Sequence, residues 1–554
     1  MQADMLRHRE PENSPHSITQ ALLRASKKDC NDSRNRFIPR AALANVISIE
    51  LVAQLLQSIG RREEDAGHLR DMAQDICPNH GGCFCRHANC TGKRMFCAIL
   101  LLCGREDLIP SLCLRQDPRI CDNHLPLSSD SLDKINHDLS ESEKELFIHM
   151  QWQVYTPLIT EFNDENQTVD VFPDEVSLPW LSKERLGEPI LGEWSHVDRI
   201  EIYPCSHNLT VDDVEVFALK TFEQRLAPEL SQQIFQQEVD ANLKAPKHDR
   251  VVRLLTAFAH REQFYLLFPF ANEGSLEELW KSYTPNGINQ NTMPNRVANW
   301  YSDEWLLSEC LEITEALVAT HGLVDNRPKD SNSLLHADIK PENILCFWNP
   351  DSRGEIMLKL ADFGEAKQIN SNVPLKASQV GHVLTYRPPE HFPDSLITLK
   401  YDVWCLGCLF LDFVTWAIVG QDGIDSFRKN REQEPENPAV TENPGQMTED
   451  TFFRQDPGSL PTKTLRPRRE KKLEVKNQLA TTRYSVWVAS QVKVTRRLKD
   501  AVISHLENLQ QYERCSDKLQ QVLLLVGKKM LVVDPQGRAD SREVRDFLSN
   551  LLRC

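Results

Sequence analysis

Two short polar runs hold the residues best suited to chemistry. His336-Ala337-Asp338-Ile339-Lys340-Pro341-Glu342-Asn343 places a carboxylate, an ammonium and an amide on one loop, and Ala361-Asp362-Phe363-Gly364 adds a second carboxylate soon after. Together they suit the transfer of a terminal phosphoryl group from a magnesium nucleotide to a hydroxyl. That reaction asks for positioning, charge neutralisation and a place for the hydroxyl proton. Asp338 would orient the hydroxyl and take its proton. Lys340 would balance charge on the moving phosphoryl. Asn343 and Asp362 offer hard oxygen ligands, which suit magnesium.

In order and spacing, the two runs resemble the catalytic and metal loops of eukaryotic protein kinases. The resemblance extends on both sides of them. Val216-Phe217-Ala218-Leu219-Lys220 resembles the kinase strand whose lysine holds the nucleotide phosphates, and Phe235 and Glu238 share a helix face, so that Glu238 would pair with Lys220. Phe264 to Ala271 resembles the hinge, which makes Phe268 the gatekeeper and turns the backbone of Pro269 and Ala271 toward adenine. Tyr386-Arg387-Pro388-Pro389-Glu390 resembles the close of the activation loop, Asp402 to Gly407 the start of the central large-lobe helix, and Arg538 the partner of Glu390. This implies a serine/threonine protein kinase that uses ATP and Mg2+, with ATP and protein substrates as partners; a pseudokinase that binds partners without transfer is the alternative. Lys340 favours the serine/threonine class.

The chain departs from the family pattern in three places. Around Gly192-Glu193-Trp194-Ser195-His196-Val197 only Gly192 matches the usual glycines, and an ungapped reading puts Trp194 and Val197 where glycines would lie. Ala337 replaces the arginine that commonly clamps an activation-loop phosphate. Val383 stands where a substrate-facing threonine is usual, with Thr385 nearby.

The elements that must position these residues imply an α+β, bilobal kinase-like fold. A β-rich small lobe is expected at about 181–271 and a helical large lobe at 272–554, interrupted by a surface insertion at about 422–480 that is rich in Pro, Glu, Lys and Arg. A mainly helical domain precedes it over 36–160. Its apolar positions (Leu43, Val46, Ile47, Val52, Leu55, Leu56, Ile59) recur at helical spacing, and Met95 to Leu102 reads as a buried helix. Phe37-Ile38-Pro39 and Leu125-Pro126-Leu127 resemble motifs of fungal protein-kinase-domain proteins. Residues 1–35 are polar and expected to be disordered, and 161–180 to be a linker.

With 554 residues the chain exceeds a single ordinary core. A net charge of −16 argues against a general nucleic-acid binder. Cys405 to Gly420 is apolar but short and interrupted by Asp412, so a buried helix is expected rather than a membrane span. Sixteen cysteines without a secretory signal suggest reduced thiols and an intracellular protein, cytoplasmic or nuclear. Cys77, His80, Cys83, Cys85, His87 and Cys90 fit no common zinc spacing, and no metal is expected there. Arg466 to Lys472 reads as a solvated loop or an import signal. The oligomeric state is left open.

Overall fold

The computed structural model describes residues 15–59, 65–78, 92–114, 120–135, 139–162, 167–187, 195–210, 216–222, 228–283, 301–324, 333–348, 355–369, 375–381, 385–392, 395–434, 450–455 and 495–553. By packing, the chain divides into two units. One comprises residues 1–236 and 254–270, the other 237–253 and 271–554. The second takes in 237–253, which the sequence suggests for the small lobe, because Ala241 and Val251 pack into its core.

The first unit contains a six-stranded sheet: β1 (Asp170–Phe172), β2 (Trp180–Arg185), β3 (Ser195–Ile202), β4 (Val216–Phe222), β5 (Thr256–His260) and β6 (Gln263–Pro269), in the order β1-β5-β6-β4-β3-β2. All neighbours are antiparallel except β1 and β5. Alternating strands bury Ile200, Ile202, Phe217, Leu219, Tyr265 and Leu267 on one side.

Helices before the sheet form a separate apolar cluster within this unit. The apolar run from 38 to 59 is two helices, Arg40–Val46 and Ile49–Ser58, because Ser48 caps the second by accepting from Leu51 N. Two expectations fail here. Residues 15–25 are not disordered: Pro15–Ala25 is a helix whose Ile18 and Leu22 are buried in that cluster. Nor is 161–180 simply a linker, since Asp170–Phe172 pairs with β5 and Val176, Leu178 and Trp180 are buried.

The second unit is mainly helical and is built around Lys400–Val419. This helix is long and apolar enough to cross a membrane, but it is almost wholly buried in the core. Apolar residues on every side are what a central helix needs. Asp303–Thr320 packs alongside Ser541–Arg553, with Ser302 capping the former through Trp305 N. The expected surface insertion does not begin at 422. Gln421–Glu432 is a helix with Ile424, Phe427 and Arg431 buried, and Phe453–Gln455 pairs antiparallel with Arg496–Leu498. The described cysteines are free thiols, most of them buried.

His505 gives this unit an acid-sensitive point. Its ring stacks on Phe427 at 3.9 Å, and burial, then the nearby Arg431 cation, lower its pKa to about 4. A depressed imidazole pKa means that the folded state prefers the neutral ring. Its contribution is therefore present above the unfolded value near 6.5 and is lost as pH falls toward 4. Loss on the order of 1–3 kcal/mol is expected across that window. In urea melts, His505→Gln should flatten the slope between these pH values; an unchanged slope would contradict the assignment.

Candidate active site

Asp338, Lys340 and Asn343 form one compact polar group. Asn343 Nδ2 donates to Asp338 Oδ2 at 2.7 Å and to the Asp338 carbonyl at 2.8 Å, while Lys340 Nζ lies 2.9 Å from the same Oδ2. Both donors therefore use one carboxylate oxygen, and Oδ1 remains as an acceptor. Because Asn343 spends its nitrogen on Asp338, its side-chain oxygen is left for a hard cation.

The loop geometry comes from beneath. Asp402, fully buried, accepts the backbone N–H of His336 (2.8 Å) and of Ala337 (2.9 Å), and its Oδ2 lies 3.0 Å from His321 Nε2. His321 Nδ1 in turn lies 3.0 Å from Ser541 Oγ. This anchorage holds Ala337 at φ +68°, a conformation that costs about 1–3 kcal/mol for a residue with a side chain. The His336 ring packs edge-on to buried Phe363 at 4.8 Å, and its Nε2 lies 3.1 Å from the Ala361 carbonyl.

Asp362 is also left-handed, at φ +61°. Its position is tied to the first loop, since Ala361 N donates to the Asn343 carbonyl at 2.9 Å. Gly364 follows in a tight place. A Cβ there would fall 3.2 Å from Asp362 Oδ1 and 3.3 Å from Glu238 Oε2. Asp362 and Glu238 therefore both approach Gly364. Glu238 lies in the helix Pro228–Lys244 and is 7% exposed, unusually buried for a glutamate.

The remaining expected residues belong to the sheet and the segment after it. Lys220 lies in β4, opposite Val197 of β3 and Leu266 of β6. Ala218, two residues away on the same face, pairs with Phe268. Pro269 ends β6 opposite Phe217. Ala271 is buried, and its carbonyl accepts from Gly274 N. Val197 is a paired strand residue on the same face as Lys220. Gly192, Trp194, Val383, the cluster from His80 to Cys90 and the run Arg466 to Lys472 lie outside the described residues; among the described residues no group of three or more metal-ligating side chains stands together.

Beyond this group, Glu390 and Arg538 form a bidentate pair at 2.7 and 2.9 Å. The sequence anticipates this contact, and places His336 in the first polar run, but gives little reason to single out His321 or the double backbone grip of Asp402. Their one signal is a polar side chain within or beside apolar runs.

The protein kinase domain family matches residues 202–553, well over half of the chain. Among curated proteins, Aurora kinase of Yarrowia lipolytica is 29% identical over 180 residues, covering 32% of this chain and 39% of that protein. Cyclin-dependent kinase 7 of Dictyostelium discoideum is 32% identical over 190 residues, 34% of this chain and 44% of its own. Serine/threonine-protein kinase PKH2 of Saccharomyces cerevisiae is 27% identical over 174 residues, 30% of this chain and 13% of that one. The chain thus spans less than half the length of each of these three relatives.

Proposed function

This chain belongs to the protein kinase family, and we propose that within it the protein is an active serine/threonine kinase, moving the γ-phosphoryl of Mg-ATP to protein hydroxyls. One observation carries the reading. Asp338 Oδ2 is engaged by Asn343 and Lys340 together, which leaves the other oxygen as the proton acceptor. Lys340 then stands beside the position of developing charge, as a cation must. Asn343 and Asp362 would hold magnesium through hard oxygen ligands. When bound, the metal neutralises charge on the nucleotide phosphates. Lys220 would hold the phosphates and Glu238 would orient it. Phe268, Pro269 and Ala271 would line the adenine position. The similarity to the yeast serine/threonine-protein kinase supports that class of acceptor.

The pseudokinase alternative draws on the altered glycine stretch. Val197, a branched residue on the same face as Lys220, belongs to that stretch.

Magnesium-dependent transfer of labelled phosphate to a generic protein acceptor tests the proposal, with Asp362→Ala as background. ATP with magnesium should also raise the melting temperature; at a hundredfold excess over Kd the stabilisation is about 2.7 kcal/mol. No transfer above the Asp362→Ala background, together with no thermal shift, would reject the kinase reading in favour of a scaffold.

A further inference from the structure

A second group of buried charges lies away from these loops, and the proposed chemistry does not use it. Arg431 has a side chain only 2% exposed. Its Nε donates to Asp450 Oδ1 at 2.7 Å and Nη2 to Asp450 Oδ2 at 3.2 Å. Its guanidinium carbon lies 4.0 Å from the Phe427 ring centre and 4.3 Å from that of Phe452. Nη1 faces Asp412 Oδ1 at 3.7 Å, and neither atom has a hydrogen-bond partner among the described residues. The Arg431 carbonyl accepts from buried Lys499 Nζ at 2.8 Å.

This group touches the activation-loop end directly. Tyr386 Oη donates to Asp412 Oδ2 at 2.5 Å, and its ring lies 5.8 Å from that of Phe452. The Arg387 guanidinium lies over Phe453 at 5.9 Å. Cys405 Sγ donates to the Tyr386 carbonyl at 3.3 Å. One end of the Tyr386–Glu390 stretch is therefore gripped by Asp412 and Phe452, and the other by Arg538.

A buried guanidinium between two carboxylates and two aromatic rings is a poor way to gain stability alone, because desolvation offsets most of the attraction. It is a good way to fix a position, since planar pairing and stacking both resist displacement. Asp450 lies nineteen positions after Arg431 in sequence, so their pairing joins two separate stretches of chain beneath Tyr386.

We infer that Arg431 and Asp450 are positioning residues: with Phe452 they form a clasp that sets Tyr386 and Arg387, and through them the segment that receives the protein substrate. This rests on the kinase reading for the substrate's identity, but not for the clasp itself. Loosening the clasp changes acceptor binding and leaves the nucleotide loops, anchored separately by Asp402, as they were.

Asp450→Asn keeps shape and removes one charge; Arg431→Lys keeps charge and loses the planar fork. Backbone deuterium exchange is compared between these full-length variants and the parent. Exchange at 385–392 should quicken roughly tenfold while 333–348 and 355–369 stay unchanged. The KM for an acceptor protein should rise about tenfold with the KM for ATP held within twofold. Arg431→Met should exceed Arg431→Lys; if it fails to fold, Asp450→Asn decides. Faster exchange confined to 421–455, or an equal rise in both KM values, overturns the inference. Faster exchange at 385–392 in a protein that transfers no phosphate would keep the clasp and reject the kinase reading.

Discussion

Asp338→Asn is expected to lower the phosphate-transfer rate by roughly 10²–10⁴-fold, the usual value of a positioned proton acceptor. The geometry explains why so small a change does so much. One carboxylate oxygen already takes Asn343 Nδ2 and the Lys340 ammonium. In the amide, the oxygen must keep that place, because an NH2 there would meet two donors head-on. The NH2 then takes the Oδ1 position, where a proton acceptor is required. The substituted side chain keeps nearly the same volume, so the melting temperature should hold within a few degrees. The test is a steady-state transfer assay beside a thermal melt. A rate within threefold of the parent, in a folded variant, would remove Asp338 from the proposed role.

Arg538→Met is expected to have the largest effect on stability. The arginine side chain is fully buried, bonded twice to Glu390 and once each to the Val532 and Lys400 carbonyls, at 3.0 and 2.7 Å. Methionine fills the volume but leaves a carboxylate and two carbonyls without their donor. Breaking such a pair from one side costs about 3–5 kcal/mol. The double variant, Arg538→Met with Glu390→Gln, should recover part of that, because the uncompensated charge is gone. A double-mutant cycle from urea melts measures the coupling. A single-variant cost below about 1 kcal/mol would mean the pair is better solvated than its burial implies.

These two residues also show what can be read from the chain beforehand. Asp338 stands out because phosphoryl transfer demands particular side chains at a fixed local spacing, and local spacing is what a sequence displays. The strands flanking Lys220 are visible from alternation. Other features depend on partners far apart. Nothing near Ala337 announces its left-handed backbone; Asp402, sixty-five positions away, holds it. The Pro15–Ala25 helix looks too polar to fold alone and does so by placing Ile18 and Leu22 in the apolar cluster of other helices. Asp170–Phe172 is too short for any period to show, and becomes a strand by pairing with β5. Arg431 reads as one charge among many in a polar stretch, until Asp450, Asp412 and two phenylalanines surround it.

The long apolar helix Lys400–Val419 is covered partly by residues that come much later in the chain. Gly407 shows how closely: a Cβ there would fall 2.9 Å from Met530 and 3.1 Å from Leu531. On the ribosome, therefore, this greasy rod emerges well before its lid has been translated. Until the polypeptide has grown by more than a hundred further residues, the side that meets Met530 and Leu531 lacks its cover, and a prematurely terminated chain would carry that side exposed.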